Sequence, residues 1–379
     1  MAEITAEQIA QRAFDLDLLD ERQLKSVWAE CGSRDVPLDE FRNLLVRREL
    51  LTNYQVEKLL RGERTGFYYG DYKVLYLVGT GSFARVYRAV HRTDGRVVAL
   101  KVLRKRFSER TEETEQFLRE GRMGASLRHP NIVPIYEVHS VRRTYFLVMA
   151  FVEGQSLRDF VKIRKRLDPL EATEIMAGVV SGLVYAAEKG ITHRDLKLSN
   201  VLISSDGVPQ LVDFGLAAAE GSDEANPRTI DYAGLERATG VRKDDPRSDI
   251  YFAGCMYYHM LSGHAPLPQT RDRVQRMSVT RFKEVKPIRN LVPDIPPLVE
   301  ATVTKSMHLD AEQRYSRPVE FLVDLRKAAK AVRQEEAGVP VPENGKAQSD
   351  LDSGITVLLV ESNQTVQDAV RKGLKQCGF

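Results

Sequence analysis

Apolar positions fall into three textures along this chain. From residue 1 to about 65 they recur at helical spacing, as in Leu44, Leu45, Leu50 and Leu51, then Val56, Leu59 and Leu60. Thr5 with Gln8, Asp20 with Gln23, and Thr52 with Gln55 each place a cap residue three before a Gln. That is the spacing of a capping box, so this stretch is expected to be a set of short helices, with Gly62 as the last stop. From Gly70 the pattern shortens. Strands are expected over Tyr72 to Leu77, Val86 to Ala89, Val97 to Leu103 and Thr144 to Val152, with a helix over Gln116 to Leu127. After Gly154 the spacing becomes helical again, over Ala172 to Lys189, Ile250 to Leu261 and Val319 to Val332. A β-rich half followed by an α-rich half predicts an α+β fold with two lobes.

The third texture begins at about Gln334. Pro, Gly, Glu, Asp and Ser dominate 334–354, as in a solvated linker. Ile355 to Val360 then restart as a buried parallel strand, and Val366, Ala369, Val370 and Leu374 follow at helical spacing. One strand and one helix cannot bury each other's apolar faces, so 355–379 is expected to be the first unit of a truncated α/β domain.

Composition narrows the function classes. Among 379 residues, 42% are apolar and 29% charged, enough for a large core, and a net charge of +3 gives no reason to expect nucleic acid as a partner. The basic runs Arg104-Lys105-Arg106 and Lys162 to Arg166 are expected to be solvated faces. Cys31, Cys255 and Cys377 lie far apart, which argues against a disulfide framework or zinc site and fits a reducing cytoplasm. Neither a signal segment nor a membrane span is expected, because no run of about 18 apolar residues occurs.

The candidate chemistry centres on Thr192-His193-Arg194-Asp195-Leu196-Lys197-Leu198-Ser199-Asn200, with Asp213-Phe214-Gly215 thirteen residues later. Asp195 suits acceptance of a hydroxyl proton, Lys197 suits stabilisation of developing phosphate charge, and Asn200 and Asp213 offer oxygens to magnesium, a hard cation. Upstream, Val78-Gly79-Thr80-Gly81-Ser82-Phe83-Ala84-Arg85-Val86 is expected as a glycine-rich turn between strands, where backbone N–H groups can approach a triphosphate. Lys101, in Val98-Ala99-Leu100-Lys101, is costly to bury unless something neutralises it; Glu120 is the candidate partner. Val86, Ala99, Met149, Val152, Leu202 and Val212 are expected to line an adenine pocket, with Ala150 to Val152 as its hinge.

On these motifs, residues 71–332 resemble a eukaryotic-like (Hanks-type) serine/threonine protein kinase of the bacterial kind, with an N-lobe over 71–152 and a C-lobe over 153–332. Arg128 to Val133, and Asp249 with Gly254, are further matches. The resemblance implies a bilobal kinase fold, ATP and Mg²⁺ as cofactors, a protein substrate, and phosphate transfer to Ser or Thr, the class that Lys197 favours. It also implies that Arg314 pairs with Glu236 and that His193 packs beneath Phe214. The helical region 1–65 resembles the prefix of planctomycete-type kinases, and Val357 to Asn363 resembles the first strand of a response-regulator receiver domain, which implies a phosphorelay or signalling partner. The receiver's phospho-accepting aspartate would lie past Phe379, so this fragment is not expected to take a phosphate.

Three departures stand out. Gly234-Leu235-Glu236 replaces A-P-E, Ala84 replaces a glycine, and Gly124 leaves little to pack on Phe214, so the helix carrying Glu120 is expected to be loosely set. Ser222 and Thr229 are the candidate activation-loop phosphosites. The competing function is a pseudokinase scaffold that binds nucleotide and partners without catalysis.

Overall fold

The computed structural model describes residues 4–214, 230–242, 245–268, 270 and 272–337. Gly215, Ser222, Thr229 and the receiver-like stretch 355–379 lie outside the described residues.

Four short helices open the chain: α1 (Ala6–Asp15), α2 (Glu21–Cys31), α3 (Leu38–Arg47) and α4 (Asn53–Leu60). All three expected capping boxes form, at Thr5, Asp20 and Thr52, each with both reciprocal hydrogen bonds. Gly62 follows α4 with φ +72°, a conformation that glycine adopts without Cβ strain. The helices bury Ile9, Leu19, Phe41, Leu45 and Leu59 in a core of their own. They are also bonded to the neighbouring sheet. Gln55, fully buried, donates from Nε2 to the carbonyl of Val74 at 2.6 Å, and the Thr52 hydroxyl donates to the carbonyl of Leu75.

That sheet comprises β1 (Tyr68–Tyr69), β2 (Tyr72–Thr80), β3 (Ala84–His91), β4 (Val97–Leu103), β5 (Ile135–Val141) and β6 (Thr144–Ala150), antiparallel throughout, in the order β1-β2-β3-β4-β6-β5. Helix α5 (Thr111–Ala125) packs against β5 and β6. Strand β5 carries no clear sequence signal, because Glu137, His139 and Ser140 interrupt its apolar positions. Alternation along the strands gives the sheet two apolar faces. The outer face buries Tyr72, Val74, Tyr87, Leu100 and Phe146, with Tyr54 of α4 packed on it. The inner face buries Ala84, Ala99, Leu103, Leu147 and Met149 together with Phe117 of α5.

The structure overturns one expectation here. Helix α5 is not loosely set: a Cβ at Gly124 would lie 2.6 Å from Ile135 Cδ1, and one at Gly121 would lie 2.4 Å from Leu147 Cδ2. Both glycines are therefore close-approach positions that let the helix lie directly on the sheet.

The second lobe comprises β7 (Gly154–Ser156), α6 (Leu157–Arg164), α7 (Pro169–Glu188), β8 (Val201–Ser204), β9 (Pro209–Leu211), α8 (Ile230–Thr239), α9 (Pro246–Ser262), α10 (Arg273–Arg276), α11 (Val279–Lys283), α12 (Pro297–Ser306) and α13 (Pro318–Glu336). Among the described residues α7 alone is long and apolar enough to cross a membrane. Its Ile175, Met176, Val179 and Leu183 instead sit in the lobe's main core, against α9 and α13. Helix α13 continues through Gln334 to Glu336, three residues into the stretch expected as linker.

Candidate active site

The loop from His193 to Asn200 is held from below by one carboxylate. Asp249, near the start of α9 and 3% exposed, accepts hydrogen bonds from the backbone N–H groups of His193 (2.7 Å) and Arg194 (2.9 Å) and from the Tyr232 hydroxyl (2.9 Å). Tyr232 in turn accepts from the Leu196 N–H at 3.1 Å, so α8 and α9 grip the same loop. Arg194 and Asp213 both have positive φ, 61° and 63°. Non-glycine residues pay for that conformation with strain of about 1–3 kcal/mol, which persists only where surrounding bonds over-determine it. Tyr232 has no assigned part in the sequence reading; its place four residues before Glu236 is the only local signal.

Asp195 is 7% exposed, and its Oδ2 accepts from Lys197 Nζ (2.7 Å) and Asn200 Nδ2 (2.8 Å). Asn200 Nδ2 also donates to the Asp195 carbonyl at 2.9 Å. With its NH₂ group committed, Asn200 has its amide oxygen as the end that can meet a cation. Lys101, buried on β4, bridges to Asp213 Oδ1 at 2.6 Å. This bridge corrects one expectation: the ion pair of Lys101 is with Asp213, whereas the Glu120 carboxylate accepts from Gln116 Nε2 at 3.0 Å, one turn earlier on α5. The side chains of Lys101, Asp195, Lys197, Asn200 and Asp213 thus form two bonded groups, whose segments are tied by the Val212 N–H donating to the Asn200 carbonyl at 3.0 Å.

The residues expected to line an adenine pocket share one apolar cluster. Val86, Ala99, Met149, Val152, Leu202 and Val212 belong to one apolar cluster on the inner face of the sheet. Gly79 and Thr80 end β2, Gly81 to Phe83 form the turn, and Gly81 N–H donates to the Ala84 carbonyl at 2.9 Å. Val78 is half exposed at the end of β2. Ala84 is buried in the inner cluster, so its methyl group fills space there. Arg85 does not join them. Its side chain alternates with those of Ala84 and Val86 onto the outer face, beside Tyr87.

Two further expectations meet a different arrangement. Arg314 donates to the carbonyls of His308 (3.0 and 2.8 Å) and Arg247 (2.6 Å) and lies 5.0 Å from the Tyr251 ring, rather than pairing with Glu236. Glu236 instead has Arg194 at 4.0 Å, with both side chains largely buried. The changed triplet has a packing cause. A Cβ at Gly234 would lie 2.8 Å from the Arg276 carbonyl, so glycine lets α8 approach the 276–277 backbone, while Leu235 is fully buried. Asp231, beside it, is bonded by Arg276 (2.6 Å) and Arg281. Burial pushes its carboxyl up, but the two guanidiniums outweigh this and hold its pKa below the ordinary value.

His193 is structural, as expected: fully buried, 4.7 Å from the Phe214 ring, with Nε2 3.0 Å from the Val212 carbonyl. Donation there requires the proton on Nε2, leaving Nδ1 to accept the Asp195 N–H at 3.3 Å. Burial lowers its pKa, although Asp249 and Asp195 pull the other way. The folded chain therefore keeps His193 neutral, while the unfolded chain takes up a proton below about pH 6.5. Stability is expected to fall as pH drops through that range. In His193→Phe the difference between melting temperatures at about pH 8 and pH 5.5 should shrink; an unchanged difference would assign the acid sensitivity elsewhere.

Comparison with known proteins gives the family. A family model described as "Protein kinase domain" matches residues 72–328. The probable serine/threonine-protein kinase PknB of Bifidobacterium longum is 32% identical over 321 residues, 78% of this chain and 45% of that protein. Serine/threonine-protein kinase PrkC of Bacillus subtilis is 31% identical over 73% of this chain and 43% of its own length. This chain thus spans less than half the length of either relative. The crystal structure of the Mycobacterium tuberculosis PknI kinase domain shares the fold, with a TM-score of 0.54 at 22% identity over 69% of this chain and 97% of that one. Through the motifs at 79–86, 101, 193–200 and 213 and the match over 72–328, the chain belongs to the protein kinase domain family.

Proposed function

We propose that the chain is an ATP-dependent serine/threonine protein kinase acting in bacterial signal transduction, in the cytoplasm. What supports this reading is the bonded group Asp195–Lys197–Asn200 together with the Lys101–Asp213 bridge and the apolar cluster on the inner face of the sheet. Asp195 accepts the proton of a Ser or Thr hydroxyl as its oxygen attacks the γ-phosphorus. The new O–P bond forms as the bond to the bridging oxygen breaks, and ADP leaves. Lys197 steadies charge on the transferred group, and Lys101 holds the nucleotide phosphates. Asn200 and Asp213, an amide and a carboxylate, fit Mg²⁺, which binds through few protein ligands and takes its remaining ligands from phosphates and water. Magnesium supplies charge neutralisation of the phosphates when bound. Ser222 or Thr229 are the sites at which a phosphate would order the activation loop. We extend the proposal to the flanks: the helical prefix and the receiver-like tail are where a phosphorelay or signalling partner would act.

A non-catalytic scaffold would rest on Ala84, Gly124 and Gly234, and each of these has a packing reason. The test is transfer of labelled phosphate from ATP-Mg to a generic basic protein, with phosphoamino-acid analysis of the product. Phosphoserine or phosphothreonine is expected, falling at least about 10²-fold in Lys101→Met. Equal labelling by both proteins, or phosphotyrosine alone, would overturn the proposal.

A further inference from the structure

The outer face of the N-lobe sheet carries a cavity of about 1090 Å³ that phosphoryl transfer does not use. Its floor is aromatic, formed by Tyr69, Tyr87 and Phe146. The Tyr54 and Tyr69 rings lie 6.3 and 5.8 Å from the Tyr87 ring, and Arg85 lines the cavity beside them. Burial raises the phenol pKa values of Tyr54 and Tyr69, so both remain O–H donors at neutral pH.

The walls are cationic. Arg104, Lys105, Arg106, Arg142 and Arg143 all line the cavity. Lys58 and Glu63 also face the cavity but are bonded to each other, so six cations, Arg85 included, stand against the single acid Glu109. The whole chain has a net charge of only +3, so this is a concentration of charge and not a sample of the surface. Arg142 and Arg143 add an independent sign. They form the two-residue turn between β5 and β6 with φ 47° and 63°. Such a turn favours Asn-Gly, and two arginines hold it against a strain of about 1–2 kcal/mol each. The turn thus sacrifices local stability while placing two guanidiniums on the cavity. The run 104–106, expected from sequence to be a solvated face, also lines this cavity.

We propose that this cavity binds a small molecule carrying several phosphate groups on a ring body. Guanidiniums and phenol O–H groups recognise phosphate oxygens, and the aromatic floor accepts the ring. Binding has a route to the nucleotide loop. Arg106 Nη2 donates to the Ser82 carbonyl at 2.6 Å, Arg104 Nη1 to the same oxygen at 3.4 Å, and Arg104 N–H to the Phe83 carbonyl at 3.0 Å. A ligand that draws these guanidiniums toward its phosphates loosens the tip of the glycine-rich turn and shifts the KM for ATP. That consequence rests on the kinase proposal; the binding itself does not.

The test is calorimetric titration of the full chain with inositol hexakisphosphate and, separately, inorganic tripolyphosphate, with the catalytic cleft filled by a non-hydrolysable ATP analogue. Dissociation constants below about 100 μM are expected, weakening at least about tenfold in Arg142→Asn/Arg143→Gly. That substitution suits the turn, so the variant should fold and retain basal transfer activity. Lys101→Met should leave the binding unchanged, which separates the cavity from the cleft even if no transfer activity exists. Tighter binding of the inositol phosphate supports the ring-bearing class. Equal affinity for tripolyphosphate would overturn the ring and assign a bare phosphate chain. No binding of either at about 1 mM, or undiminished binding by the turn variant, would overturn the site.

Discussion

Asp195→Asn is expected to lower phosphoryl transfer about 10²–10⁴-fold while leaving nucleotide affinity unchanged. The two side chains have nearly the same shape, so the loop should not move. What changes is which atom faces the substrate. Lys197 Nζ and Asn200 Nδ2 both donate to Asp195 Oδ2, at 2.7 and 2.8 Å. An asparagine there has a single oxygen, and those two donors will claim it. Its NH₂ group then points at the incoming hydroxyl, where it can donate but cannot accept a proton. Single-turnover transfer from labelled ATP, beside a direct nucleotide-binding isotherm, reads the two effects separately. Transfer within about threefold of the parent would remove Asp195 as the base. Loss of nucleotide binding in parallel would show that the substitution acts on the cleft as a whole.

Much of this was legible in the sequence because the signals are local. A capping box is decided by residues three apart, and Thr5, Asp20 and Thr52 all form one. The apolar cluster expected to hold adenine follows from strand alternation and the order of the motifs, and it assembles from residues as distant as Val86 and Val212. The misses are tertiary. Whether Lys101 reaches Asp213 or Glu120 depends on how α5 lies on the sheet, which Gly121 and Gly124 set through contacts with Leu147 and Ile135. Arg85 illustrates register: it sits within the glycine-rich motif, yet the period of two turns it to the outer face. Arg314 finds backbone carbonyls at 308 and 247, partners with no sequence signature. Gly124, read as leaving its helix loosely set, is a contact point, because absence of a side chain can mean either room or crowding and sequence does not distinguish them.

Asp249→Ala is expected to be the most destabilising single change considered for this lobe. The carboxylate accepts three hydrogen bonds, from the His193 and Arg194 N–H groups and the Tyr232 hydroxyl, and all three donors are buried. Alanine leaves them without an acceptor in a place water does not readily reach. Each buried unsatisfied donor costs about 1–3 kcal/mol, so even the lower bound gives about 3 kcal/mol. In a domain of this size that corresponds to a melting temperature lower by roughly 6–12 °C. The second consequence is local. Arg194 is held at φ 61° partly by its bond to Asp249, and release of that strain should let the segment carrying Asp195 leave its position. Asp249→Asn separates the two effects, because it keeps one acceptor oxygen while removing the charge. It should melt between the parent and Asp249→Ala and retain part of the transfer activity. Parent-like melting of Asp249→Ala would show that the loop is held by its own bonds, chiefly Asn200 to Asp195 and His193 to Val212, and that the carboxylate beneath it is dispensable.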